Sequence, residues 1–179
     1  GRGGNATSTQ SFGNIGVYIY SGGQVSAGGG GSVTVTGTGG TGPGKENVGV
    51  RIDGEKGGDT RITSSGGPVS VVGIGGIGQE RFNVGVHLVF NATLTAGGQG
   101  AVVVDGTGGT SVGDNQGVIV ELGSKITSSG GPVNVIGRAG AGSGQDFQFG
   151  VRVQENGEIS AGGVGSVSVR GGGATAPNG

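Results

Sequence analysis

Residues 115–137 read NQGVIVELGSKITSSGGPVNVIG, and residues 47–73 read NVGVRIDGEKGGDTRITSSGGPVSVVG. The two stretches share one plan. An Asn stands two positions before a Gly-Val pair, and an alternating run follows. A polar-Ile-Thr-Ser-Ser-Gly-Gly step comes next, then a Val-x-Val run that ends at glycine. Successive side chains of an extended chain point to opposite faces. Val118 and Val120, then Ile126, then Val133 and Val135 therefore share the inner side of three short strands.

The plan extends in both directions. The Gly-Val pair recurs as Gly16-Val17, Gly49-Val50, Gly85-Val86, Gly117-Val118 and Gly150-Val151, at spacings of 33, 36, 32 and 33 residues. Asn14, Asn47, Asn83 and Asn115 stand two positions earlier, with Gln148 in the fifth copy. The first strand contributes Val17, Val50, Val86, Val118 and Val151, each with a second aliphatic residue two positions on. The second strand contributes Val25, Ile62, Leu94, Ile126 and Ile159, each followed by a small residue that predicts a tight corner: Ala27, Ser64, Ala96, Ser128 and Ala161. The third strand contributes Val33, Val69, Val102, Val133 and Val167, again with a valine two residues later.

One such unit cannot bury its apolar face alone, whereas stacked units share a continuous core. The fold class predicted is all-β: a parallel β-helix, or β-solenoid, with three strands per rung and about five rungs of 32–36 residues. Residues 1–179 read as a single solenoid segment, with repeats starting near Asn14, Asn47, Asn83, Asn115 and Gln148. The regular aliphatic columns disfavour separate hairpins or a sandwich. Stacked asparagines predict an amide ladder through Asn14, Asn47, Asn83 and Asn115; as a simple turn residue Asn would also fit. Gln148 departs from that pattern, with Phe149 beside it to compensate by packing.

Glycine supplies 51 of the 179 residues, without the three-residue period that collagen needs. Abundant Val and Ile with a net charge of −1 separate the chain from disordered sequences. There is no cysteine, so no disulfide or thiolate metal site can form. No apolar run is long enough for a membrane helix, and no polybasic surface is present for nucleic acid.

With the consensus Asn-x-Gly-Val-x-Ile … Ile-Thr-Ser-Ser-Gly-Gly-x-Val-x-Val-x-Gly written out, the chain resembles the β-strand repeats of very large secreted bacterial exoproteins, broadly the filamentous-haemagglutinin-like adhesins. The resemblance covers essentially the whole chain. It implies a right-handed parallel β-helix at the cell surface or outside the cell. Both termini fall in phase with the repeat, which predicts either further repeats or copies stacked end to end.

Sites of chemistry are few. Asp53 and Glu121 share an outward column of the first strand, two rungs apart and roughly 9–10 Å, near the separation of an inverting carboxylate pair. Val89 lies between them, His87 stands in the neighbouring column with Tyr18, Arg51, Ile119 and Arg152, and no aromatic sugar platform is evident nearby. These charges read as solvated breaks in exposed strands. Asp105 and Asp114 lack the glycine-spaced pattern of calcium repeats. GTGGTG at 37–42 and GIGGIG at 73–78 lack the helix a phosphate loop needs. The tripeptides at 5–7 and 91–93 match the glycosylation sequon, as chance allows in so Thr-rich a chain.

The expected function is a structural extracellular fibre or stalk with an adhesive role. Its partners would be other copies of itself, by end-to-end stacking or lateral bundling, and surface glycans. Neither catalysis, nor a cofactor or metal, nor nucleic acid or membrane insertion is expected. A carbohydrate-binding or carbohydrate-active β-helix is the alternative. Ice binding is the third, resting on the outward hydroxyls of Ser26, Thr63, Thr95, Thr127 and Ser160.

Overall fold

The computed structural model describes residues 1–8, 13–55, 57–142 and 148–174. Its described residues form strands and turns, with no helix. The first rung holds β1 (Val17–Tyr20), β2 (Gln24–Ala27), β3 (Val33–Thr38) and β4 (Thr41–Gly42). The second holds β5 (Val50–Asp53), β6 (Arg61–Ser64), β7 (Val69–Ile74) and β8 (Ile77–Gly78). The third holds β9 (Val86–Val89), β10 (Thr93–Ala96), β11 (Val102–Thr107) and β12 (Thr110–Ser111). The fourth holds β13 (Val118–Val120), β14 (Lys125–Ser128), β15 (Val133–Arg138) and β16 (Ala141–Gly142). The fifth holds β17 (Val151–Val153), β18 (Glu158–Ile159) and β19 (Val167–Gly172).

Equivalent strands pair in parallel, so the chain is a β-solenoid of about five turns. Three five-stranded sheets run β1-β5-β9-β13-β17, β2-β6-β10-β14-β18 and β3-β7-β11-β15-β19. Register follows the sequence repeat: Val17 lies beside Val50, Val50 beside Val86, Val86 beside Val118, and Val118 beside Val151. Residues near the N-terminus add bridges beneath the first rung, Arg2 to Thr38 and Asn5 to Thr41.

The three strands expected in each rung are present, and the first four rungs add a short fourth. A fourth parallel sheet runs β4-β8-β12-β16, inside what the sequence presents as glycine-rich connection. Two-residue strands are too short to show alternation. Stacked glycines let successive rungs approach closely beside this sheet: a methyl on Gly76 would overlap the Gly40 carbonyl oxygen, and one on Gly109 would overlap that of Gly76.

The corners also repeat. Between the first and second strands every rung places two consecutive residues at positive φ: Ser21-Gly22, Gly57-Gly58, Phe90-Asn91, Leu122-Gly123 and Glu155-Asn156. At the second corner Ser64 and Ser128 donate their hydroxyls to the carbonyls of Gly67 and Gly131.

The axial core is aliphatic. Val50, Val86, Val118, Val69, Val102, Val133, Ile62, Leu94 and Ile126 are fully buried, and Val33 nearly so. Val17 and Val151 are partly buried and pack against this core. Val167, assigned to the core from its period, is 45% exposed, because β19 has a neighbouring strand on one side only.

The glycine columns give a paired test. Gly109→Ala is expected to cost about 1–3 kcal/mol or more by overpacking. Gly30→Ala, with open space around it, should change stability by only a few tenths of a kcal/mol. Urea unfolding followed by circular dichroism measures both.

Candidate functional site

The outer face of the first sheet holds a connected polar network, and it is not the solvated surface that alternation predicts. His87 and Asp53 are each only 2% exposed, and Ile119 and Val89 are also buried. The cause lies in the residue that follows each of Asn14, Asn47 and Asn83. Ile15, Val48 and Val84 join Phe82 and Ile119 in a second apolar cluster, separate from the axial core. The connections thus wall over the middle of the sheet.

Two ionic groups sit in this wall. In the first, the Arg51 Nε and Nη2 groups donate to Asp53 Oδ2 at 3.1 and 2.8 Å, and Nη1 donates to Glu46 Oε2 at 3.1 Å. The Tyr18 hydroxyl donates to the same Asp53 oxygen at 3.2 Å, and the Glu55 amide donates to Oδ1. Burial, reinforced by the Asp53 carboxylate, raises the Tyr18 phenol above its ordinary value. In the second group, His87 Nε2 lies 2.8 Å from Glu121 Oε1. Gln154 donates to the other Glu121 oxygen, and Arg152 donates to Gln154. Burial pushes His87 below its ordinary value, and the His87 hydrogen bond, helped by Gln154, holds Glu121 below the usual carboxylate range.

The two carboxylates weighed as a pair from their spacing are both engaged by neighbours. Asp53 lies beside Val89, as alternation predicts. Each carboxylate is held by neighbours within the wall, Asp53 by Arg51 and Tyr18, Glu121 by His87 and Gln154. An aromatic platform does stand beside Asp53, which corrects the reading from sequence. Tyr18 and Tyr20 stack at 4.6 Å between ring centroids and 18° between planes, are 44% and 55% exposed, and carry the Arg51 guanidinium 5.7 Å from the Tyr18 centroid. Their i, i+2 spacing on one face was the available signal.

The asparagine column forms a side-chain ladder over three rungs. Asn14 Nδ2 donates to Asn47 Oδ1 at 2.7 Å, and Asn47 Nδ2 donates to Asn83 Oδ1 at 2.8 Å. The chain of amides stops there. Asn83 Nδ2 turns to the Thr110 carbonyl, and Asn115 Nδ2 to the Ala141 carbonyl. Asn115 Oδ1 instead accepts the Ser111 hydroxyl at 2.7 Å. Ser111 stands opposite Gly142, in a column that also has glycine at Gly42 and Gly78, so only this rung offers a competing hydroxyl. The Gln148 amide atoms are buried without a partner, and Phe149 is 42% exposed.

Elsewhere, the outward hydroxyl column links Ser160 to Thr127 at 3.1 Å. Its neighbouring column is mixed, with Arg61 donating to Gln24 and Lys125 paired with Glu158. Asp105 pairs with Arg138, and Asp114 lies 3.8 Å from Arg81. Among the described residues no three His, Asp or Glu side chains converge as a metal-binding group, and no helix is long and apolar enough to cross a membrane. In comparison with known proteins, no family model, no curated protein and no solved structure matches the chain.

The ladder predicts unequal asparagines. Asn47→Ala strands the Asn14 donor, at about 1–3 kcal/mol for a group left unpaired, and leaves Asn83 Oδ1 with only the backbone amide of residue 47. Asn115→Ala should cost less, because the Ser111 hydroxyl also donates to the Gly113 carbonyl. Denaturant midpoints of the two variants measure the difference.

Proposed function

We propose that this chain is a structural rod, a segment of an extracellular or cell-surface fibre whose work is mechanical. The observation that carries this reading is the unbroken in-register ladder: three sheets each pair through all five rungs around one aliphatic core. Backbone hydrogen bonds run along the axis, and a stack of this kind resists bending and offers a protease little extended chain. The repeat's resemblance to filamentous-haemagglutinin-like exoproteins belongs to the same proposal, as do adhesion and self-association. Lateral contact would use the rim of the fourth sheet, where Ile74, Ile77 and Val112 are 46%, 59% and 42% exposed beside a groove of about 490 Å³ lined by Gly78, Thr110, Ser111 and Val112 among others.

Electron microscopy with fibre diffraction tests the rod. Filaments with a meridional repeat of about 4.8 Å are expected. Val102→Asp, which buries an unpaired charge at several kcal/mol, should abolish them. Val103→Asp, on the outward face between Ser70 and Asn134, should leave them intact. Discrete particles from the unaltered protein, or normal filaments from Val102→Asp, would overturn the reading.

The stacked Tyr18 and Tyr20 favour a second reading, carbohydrate binding on the outer wall. Exposed aromatic faces pack against sugar C–H groups, and Arg51 and Glu46 lie alongside. Polysaccharide binding that is lost on Tyr20→Ala, in a variant of unchanged stability, would support it.

A further inference from the structure

His87 is the only histidine in the chain and lies in the middle rung. In its column Arg51 lies on one side and Ile119 on the other. Phe82 meets the ring edge-on, with centroids 5.1 Å apart. Nε2 faces Glu121, while Nδ1 is buried with no hydrogen-bond partner. The charged groups that face the ring are Arg51 and Glu46 from the second rung and Glu121 from the fourth. Asp53 is joined to Arg51, and Arg152 reaches Glu121 through Gln154. This geometry suits a neutral ring that donates from Nε2 to the Glu121 carboxylate. A proton on Nδ1 would be a buried donor without an acceptor, on a cation one rung from the Arg51 guanidinium.

We propose that His87 is an acid-operated latch on the outer wall of the solenoid: protonation expels the ring from beside Phe82 and opens the wall over the middle rung, while the axial core stays stacked. The two layers are separable because His87 belongs to the outer face and takes no part in the aliphatic cluster of the axis. Opening uncovers Val48, Val84 and Ile119, an apolar surface closed at neutral pH. The inference rests on the wall itself and holds whether or not the chain is a rod.

The direction follows from linkage. Burial keeps the closed-state imidazole below its ordinary 6.5, so the open state takes up a proton first as pH falls. Opening is independent of pH well above 6.5. Below 6.5 it rises by up to about tenfold per pH unit until the closed-state value is reached. Glu121, held below its ordinary 4.5 chiefly by the His87 hydrogen bond, adds a second window of the same sign below 4.5.

Residue-resolved hydrogen exchange at pH 7.5 and 5.0, corrected for intrinsic rates, tests the latch in the unaltered protein and in His87→Gln. Glutamine keeps a donor for Glu121 and does not titrate. The informative wall amides are Asn47, Gly49 and Gly85, which donate to Asn83 Oδ1, the Val84 carbonyl and the Gln116 carbonyl. The reference amides are Val69, Val102 and Val133 in the third sheet. Protection of the wall amides should fall between pH 7.5 and pH 5.0 with the reference amides unchanged, and His87→Gln should abolish the fall. Equal wall protection at both pH values, a uniform loss in all sheets, or the same fall in His87→Gln would overturn the proposal. Should His87→Gln fail to fold, the His87 ring proton resonance of the unaltered protein decides. A titration midpoint below 6.5 supports the latch, and one at or above 6.5 rejects it.

Discussion

Each rung is hydrogen-bonded by its backbone to the rungs beside it, in register, and this constraint governs everything else in the molecule. Parallel strands about 4.8 Å apart force like residues to stack on like. A column must therefore suit itself. Valine on valine packs without a gap, asparagine on asparagine exchanges amide hydrogen bonds, and glycine on glycine allows a backbone approach that any side chain would block. Differences in repeat length are absorbed where the ladder is not at stake. The longest repeat, 36 residues from Asn47 to Asn83, carries its extra chain between β5 and β6, and Ile62 still lies beside both Val25 and Leu94.

The inner half of the fold was legible because period two is a simple signal. Val50, Ile62 and Val69 and their copies fall in the same columns in the structure as in the aligned repeats. The fourth sheet was not legible, since strands such as β8 span two residues and their partners are glycines. Nor were the first corners. Phe90 and Leu122 occupy positive φ, a conformation that a bulky side chain adopts only when its surroundings impose it, and neither residue advertises a turn. The stop in the amide ladder depends on one hydroxyl, Ser111, in a column otherwise marked by glycine, and no periodic rule foretells which acceptor a serine will find.

The outer wall failed to show for a different reason. Alternation places Arg51, His87 and Ile119 on the side away from the axis, and that placement is correct. It does not say whether anything lies beyond. Here the connection that precedes each first strand folds back, and Val48 and Val84 supply a second apolar layer. The first sheet is consequently buried on both faces in its middle rungs, in the manner of parallel sheets covered on both sides. Runs such as Val86-His87-Leu88-Val89, buried at every position, are the trace of this in sequence.

Burial on both faces changes what a polar residue in that sheet can be. On an open face a carboxylate or imidazole is solvated, and its neighbours matter little. Under the wall each polar group must be matched, and the structure matches nearly all of them: Asp53 by Arg51, Tyr18 and the Glu55 amide, and Glu121 by His87 and Gln154. The exceptions among the described residues include the Gln116 and Gln148 amides and one nitrogen of His87. A solenoid could fill that position with another aliphatic residue, as Ile119 does one rung later at no cost in hydrogen bonds. An imidazole in its place keeps the wall closed only while the ring stays neutral. The stability of the outer layer is thereby tied to proton concentration, whereas the axial core, aliphatic but for the Ser64 and Ser128 hydroxyls, has nothing to titrate.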